Sequence, residues 1–170
     1  MQRPEPGEYN PYFDNYIRLV PEGNFSDLLK KDTATTVNFF SAIPAEKHQY
    51  AYAPKKWTIA EVLMHLIDVE RVMSYRALVA ARFDNETILY PFDEDQYALT
   101  SNAKNRTMSS LIEEFAALRK ANEIFFETIT KEQSSFRAKG VAHPFTARAL
   151  GYVILGHTIH HVQVVGERYL

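Results

Sequence analysis

The 170-residue sequence contains no cysteine. That absence excludes disulfide frameworks, cysteine-rich zinc modules, iron–sulfur ligation and any thiol nucleophile supplied by the protein itself. No stretch reaches the run of about eighteen apolar residues that a membrane-spanning helix needs, and the start, MQRPEPGEYNPYF, lacks the apolar centre of a secretory signal. An excess of one charge is missing too. The chain has 19 Lys and Arg against 21 Asp and Glu, and its basic pairs, Lys30-Lys31 and Lys55-Lys56, are short and far apart. Nucleic-acid modules carry a basic stripe. The expectation is therefore a cytoplasmic protein with no nucleic-acid and no membrane partner.

With 46% apolar and 24% charged residues, the length suits one compact domain over residues 1–170. Four of the eight prolines (Pro4, Pro6, Pro11, Pro21) fall in residues 1–24, which predicts an extended arm. One short helix should interrupt it, capped by Asn10 with Pro11 at its first position and with Tyr12, Tyr16 and Leu19 on one face. Residues 25–170 then carry helical spacing. A first long helix is expected from Ser26 to Ala42, followed by a loop from Ala45 to Lys56. Thr58 and Glu61 have capping-box spacing, so a second helix should run from there to about Arg82. A third is expected from Thr107 to Lys131, with Leu111, Phe115, Leu118, Phe125 and Ile129 inward and Glu113, Arg119, Lys120 and Glu123 outward. A fourth follows Thr146 and ends near Arg168.

The 23 residues from Phe83 to Asn105 read as a long connection. A helix of two dozen residues is about 36 Å long, and this connection can extend to about 75 Å. It can return the whole length of the molecule, which allows the second and third helices to run parallel. No strand-like alternation occurs, so the expected fold is all-α, a four-helix bundle with a long crossover between helices two and three.

Histidine is what the sequence has in place of cysteine. Three of the six histidines lie in the last fourteen residues, where even scatter predicts roughly half of one. His157 and His161 recur on the apolar stripe of the fourth helix, one turn apart, with Cβ atoms about 6 Å from each other. His65 lies on a similar stripe (Val62, Val69, Val72) of the second helix. Three buried imidazoles can be satisfied by carboxylates or carbonyls, or they can share one divalent transition metal; nickel, zinc and iron all suit such a set. Three neutral nitrogen ligands would leave positions open for water or a substrate atom.

The remaining candidates are less decided. Asp68, one turn beyond His65, can orient an imidazole or pair with Arg71. His160 lies about 100° round the helix from His161, which suits a supporting or interface role. Asp93, Glu94 and Asp95 sit in the crossover, where loops over a bundle end carry substrate contacts, and of these Asp95 is a candidate contact. His48 and His143, in proline-flanked loops, are expected to be solvated. No residue stands out as a general base, and no serine-hydrolase, P-loop or di-iron motif is present.

The chain resembles the DinB-like superfamily, including its YfiT-type metal-dependent hydrolases. The resemblance rests on the order of several segments: Pro6-Gly7-Glu8-Tyr9, Pro21-Glu22-Gly23, Trp57-Thr58, His65 through Arg71, Tyr75-Arg76-Ala77-Leu78, Phe92-Asp93, Arg148-Ala149-Leu150, Gly156 through His161, and Arg168-Tyr169-Leu170. It implies an up-down-down-up bundle, a divalent metal on His65, His157 and His161, and a homodimer. Members with known chemistry use low-molecular-weight thiols such as bacillithiol or mycothiol. The implied function is a metal-dependent enzyme, of thiol-dependent S-transferase or hydrolase type, acting on a small molecule. The alternative is a non-catalytic module that only binds a metal or a ligand.

Overall fold

The computed structural model describes residues 1–170 and contains seven helices and no sheet. They are α1 (Asp14–Ile17), α2 (Phe25–Ser41), α3 (Ile59–Ala81), α4 (Glu94–Thr100), α5 (Met108–Thr128), α6 (Lys131–Ser135) and α7 (Ala147–Arg168). The four long ones, α2, α3, α5 and α7, form the bundle. No helix is long and apolar enough to cross a membrane.

Most helix starts follow from the residue that caps them. The Asn24 side chain accepts from Ser26 N (2.9 Å) and Asp27 N (3.2 Å) at the start of α2. At α3 the capping box is reciprocal: Thr58 N donates to Glu61 Oε2 (2.8 Å), and Glu61 N donates to Thr58 Oγ1 (3.2 Å). Thr146 caps α7 by accepting from Ala149 N at 3.1 Å.

Contacts between the long helices give their directions. Glu61 meets Lys104, Arg71 meets Glu114 and Glu70 meets Arg119, so α3 and α5 run parallel. Lys30 reaches Glu127 and Thr33 reaches Glu123, which makes α2 and α5 antiparallel. Phe25 packs on Tyr152 while Phe39 approaches Gly166, so α2 and α7 are parallel. The bundle is up-down-down-up, and the crossover from Arg82 to Thr107 supplies the return that parallel neighbours require.

Several sequence expectations need correction. The crossover is not all loop: Asp93 accepts from Gln96 N (3.0 Å) and starts α4. The third long helix stops at Thr128, because Thr130 and Gln133 form a capping box of their own and leave Ile129 extended. In the arm the buried apolar side chains near the helix are Ile17, at its end, and Val20, just beyond it, whereas Tyr12 is exposed. His48 is half-buried, its Nε2 3.0 Å from the Ile43 carbonyl oxygen. His143 is exposed.

The largest departure is Arg119, expected on the outer face and in fact wholly buried. Its Nε donates to Glu70 Oε2 (2.5 Å), Nη1 to Asp32 Oδ2 (2.7 Å) and Nη2 to Thr158 Oγ1 (2.5 Å), so one guanidinium ties all four long helices. Asn122 Nδ2 donates to the other oxygen of Glu70 at 2.9 Å. Burial opposes the Arg119 cation, but the Glu70 and Asp32 carboxylates outweigh it and raise its pKa. This polar layer separates two apolar cores, one around Phe25, Phe126, Tyr152 and Leu155, the other around Phe40, Leu63, Leu111 and Phe115.

Candidate metal centre

His65 projects from α3, and His157 and His161 project from successive turns of α7. His157 Nε2 lies 3.1 Å from His65 Nε2 and 3.1 Å from His161 Nε2. All three nitrogens fall within 4.8 Å of one another. With metal–nitrogen bonds of ~2.1 Å, ligands at 90° are separated by about 3.0 Å and ligands at the tetrahedral angle by about 3.4 Å. The two 3.1 Å separations lie between those values, so His157 is spaced from each of the other two as neighbouring ligands of one small divalent cation are.

The surroundings keep the imidazoles neutral, as metal ligands must be. Burial pushes the pKa of His65 down to about 4. Burial, with His65 and His160 nearby, pushes His161 down to about 3. His157 is driven well below the ordinary range by burial first, then by the neighbouring imidazoles and Arg119. Aromatic rings hold the imidazoles in place: Trp57 packs on His65 (centroids 4.5 Å apart), and the edge of Tyr16 meets His157 at 5.1 Å.

Tyr16 can come this close because α1 rests directly on α7. A Cβ on Gly156 would sit 2.1 Å from the Tyr16 carbonyl oxygen, a separation no side chain tolerates. The arm is further tied down by Glu8, which accepts from Arg148 and, at 3.0 Å, from Thr146 Oγ1. Arg3 anchors it again by donating to the carbonyls of Ile17 (2.9 Å) and Val20 (2.6 Å).

A cavity of about 350 Å³ opens over the three histidines. Its floor includes Val69, Met73 and Val153, the arm supplies Tyr12, Phe13 and Tyr16, and the crossover supplies Pro91, Phe92 and Glu94. Arg76 closes the far end. A second cavity, of about 340 Å³, reaches His161 and Trp57 from the other side, past Lys55, Lys56 and Asp95.

The structure brings His65, His157 and His161 together and separates the other candidates. Asp68 faces Arg71, 3.9 Å away, and forms no hydrogen bond to an imidazole. His160 lines the main cavity with its ring against Tyr16 (5.5 Å), and burial lowers its pKa. Asp95 is exposed at the second cavity, while Glu94, its neighbour, borders the first. Sequence reasoning did not single out Trp57, Tyr16 or Arg76 for the site. For Tyr16 a signal existed: Gly156 inside a helix can mark a close backbone approach, although Gly151 and Gly166 of the same helix give the same signal.

Comparison with known proteins agrees with this architecture. The solved structure of YfiT from Bacillus subtilis, described as a probable metal-dependent hydrolase with an unusual four-helix bundle topology, superposes with a TM-score of 0.75 at 16% identity. The match covers 98% of this chain and 90% of that one. A mycothiol-dependent maleylpyruvate isomerase superposes with a TM-score of 0.65 at 11% identity, over 90% of this chain and 62% of that enzyme. Among curated proteins none matches. The model of the DinB superfamily matches residues 28–165, and the chain belongs to that superfamily.

Proposed function

We propose that this protein is a metal-dependent enzyme acting on a small molecule, with one divalent transition metal (nickel, zinc or iron) held by His65, His157 and His161. The reading rests on three neutral imidazoles, two buried and one half-buried, whose Nε2 atoms converge beside a cavity large enough for a small substrate. When bound, such a cation supplies Lewis-acid activation, lowering the pKa of a coordinated water or thiol. The chain's own residues present the site: Trp57 and Tyr16 pack on two of the imidazoles, and the arm and crossover line the cavity above them.

The absence of cysteine directs the choice of chemistry. Hydrolysis needs only water, whereas S-transfer needs a low-molecular-weight thiol as co-substrate, because the protein has no sulfur nucleophile of its own. A reducing, cytoplasmic setting would suit the second. The reading includes a homodimer, for which the exposed Ile88, Tyr90 and Leu99 offer apolar surface, and light scattering checks it.

Elemental analysis of protein purified without a histidine tag is the first test, with about one equivalent of metal expected. Less than about a tenth of an equivalent, with no uptake on titration, overturns the metal reading. Electrophiles and hydrolysable esters are then screened with and without low-molecular-weight thiols. Turnover abolished by His65→Ala or His161→Ala, in variants folded by circular dichroism, supports the enzyme. Metal uptake without turnover in either class supports a binding module instead.

A further inference from the structure

Five arginines are withdrawn from solvent: Arg3, Arg76, Arg106, Arg119 and Arg148. Four have a carboxylate partner, respectively Glu22 for Arg3, Glu114 for Arg106, Glu70 and Asp32 for Arg119, and Glu8 for Arg148. Arg76 has none within salt-bridge distance. Its Nη2 donates to the Tyr90 carbonyl oxygen (2.8 Å), its guanidinium lies 5.8 Å from the centre of the Phe92 ring, and its Nη1 reaches only the Met73 sulfur, at 4.0 Å. Its Nε has no partner in the protein and is open to solvent, so the guanidinium keeps donors available to an anion that enters the cavity.

The position of Arg76 says where that anion would come from. The residue lines the cavity over the three histidines, and it also lines an adjoining cavity of about 270 Å³ that runs toward the Gly140–Phe145 turn. Arg76 lies eleven residues beyond His65 on α3, just over three full turns and about 16 Å along the same face. Val69 and Met73 lie between them on that face, giving an apolar track with imidazoles at one end and a cation at the other.

We propose that Arg76 is the specificity-determining residue of this cavity and binds the carboxylate of an elongated, otherwise apolar organic acid whose other end reaches the three histidines. A planar guanidinium with free donors matches a carboxylate in a bidentate pair. Arg76 is the only Arg or Lys in either lining, so a singly charged acid is compensated where a phosphate dianion is not. Glu94 is the one carboxylate bordering the histidine cavity, and Arg76 lies beyond salt-bridge distance of it. The proposal rests on reading the cavity as a substrate pocket, but not on the metal.

The test uses 4-phenylbutyrate and 6-phenylhexanoate against their primary amides, which match them in shape without charge. Binding to the full-length protein is measured by calorimetry, metal-free and zinc-loaded. The expected result is that at least one acid binds about tenfold or more tightly than its amide, in both forms. Arg76→Gln should remove that preference with zinc uptake unchanged, and Arg76→Lys should restore part of it. Equal binding of every acid and its amide, or a preference that survives in Arg76→Gln, overturns the proposal. A preference confined to the zinc-loaded protein assigns the carboxylate to the metal and overturns it as well. Should zinc fail to bind while the Arg76-dependent preference persists, the metal reading falls and this one stands.

Discussion

Acidifying the metal-free protein should destabilise it in a pH window where carboxylates contribute little. In the unfolded chain each histidine takes up a proton as the pH falls through 6.5; in the folded protein burial holds His65 to about 4 and His161 to about 3, with His157 also well below the ordinary range. A group whose folded pKa is depressed contributes stability that is fully present above its unfolded pKa and is lost as the pH falls toward its folded pKa. At about pH 5 His65 and His161 cost about 2 kcal/mol each, about 4 kcal/mol together, and His157 adds in the same direction, against a total stability of ordinary domains of about 5–15 kcal/mol. Urea unfolding of chelator-treated protein between about pH 7.5 and about pH 5 measures the slope. The variant with His65, His157 and His161 all replaced by Gln should lose most of that slope, keeping the part due to His160, while bound zinc should steepen it in the wild type by letting protons compete with the metal. Superimposable stability profiles for the wild type and the triple variant would refute the claim that these imidazoles are buried neutral.

Other predictions concern the metal and the packing that frames it. Zinc at a hundredfold excess over its Kd should stabilise the wild type by about 2.7 kcal/mol in thermal unfolding, and His161→Gln should lose most of that gain. Gly156→Ala drives a Cβ into the Tyr16 carbonyl; a loss of about 1–3 kcal/mol in urea unfolding is expected, together with faster proteolysis of residues 1–24 and increased access of solvent to His157. Arg119→Met leaves Glu70 and Asp32 buried without a cation, which should cost about 3–5 kcal/mol in the same assay. Adding Glu70→Gln and Asp32→Asn should recover much of that loss, and an additive further decline would count against the network.

Period and punctuation made the fold legible in the sequence. Asn10, Thr58 and Thr146 are good caps and they cap, and the length of the crossover permitted the parallel α3–α5 pair that the contacts show. Convergence of three histidines was legible because His157 and His161 share a helical face and His65 recurs on an apolar stripe. Arg119 was not legible, since a charge beside Lys120 on a surface-like stretch reads as solvated. Its burial is decided by partners 49 and 87 residues away in sequence. The end of α5 was missed for a local reason: Thr130 and Gln133 carry a start signal, but Ile129 and Lys131 prolong the helical pattern across it.

The polar layer and the three histidines occupy the same level of the bundle, and this bears on how the site works. Along α7 the apolar core ends at Leu155, His157 and Thr158 follow, and the second core resumes at Val165. Thr158 accepts from Arg119 while its neighbour His157 faces the cavity, so adjacent residues fix the helix from behind and present a ligand in front. The Arg119 charge, held by two carboxylates, also adds to the forces that keep His157 unprotonated. A purely apolar layer at this level would pack as well, and replacing buried ion pairs by apolar groups is often neutral or stabilising. Stability alone therefore does not account for Asp32, Glu70 and Arg119. Through Thr158 the network also ties α7 to α2, α3 and α5 one residue from His157. An apolar replacement of all three should accordingly be tolerated by the fold more readily than by zinc affinity, and measuring both on the same variant separates a structural role from a positioning one.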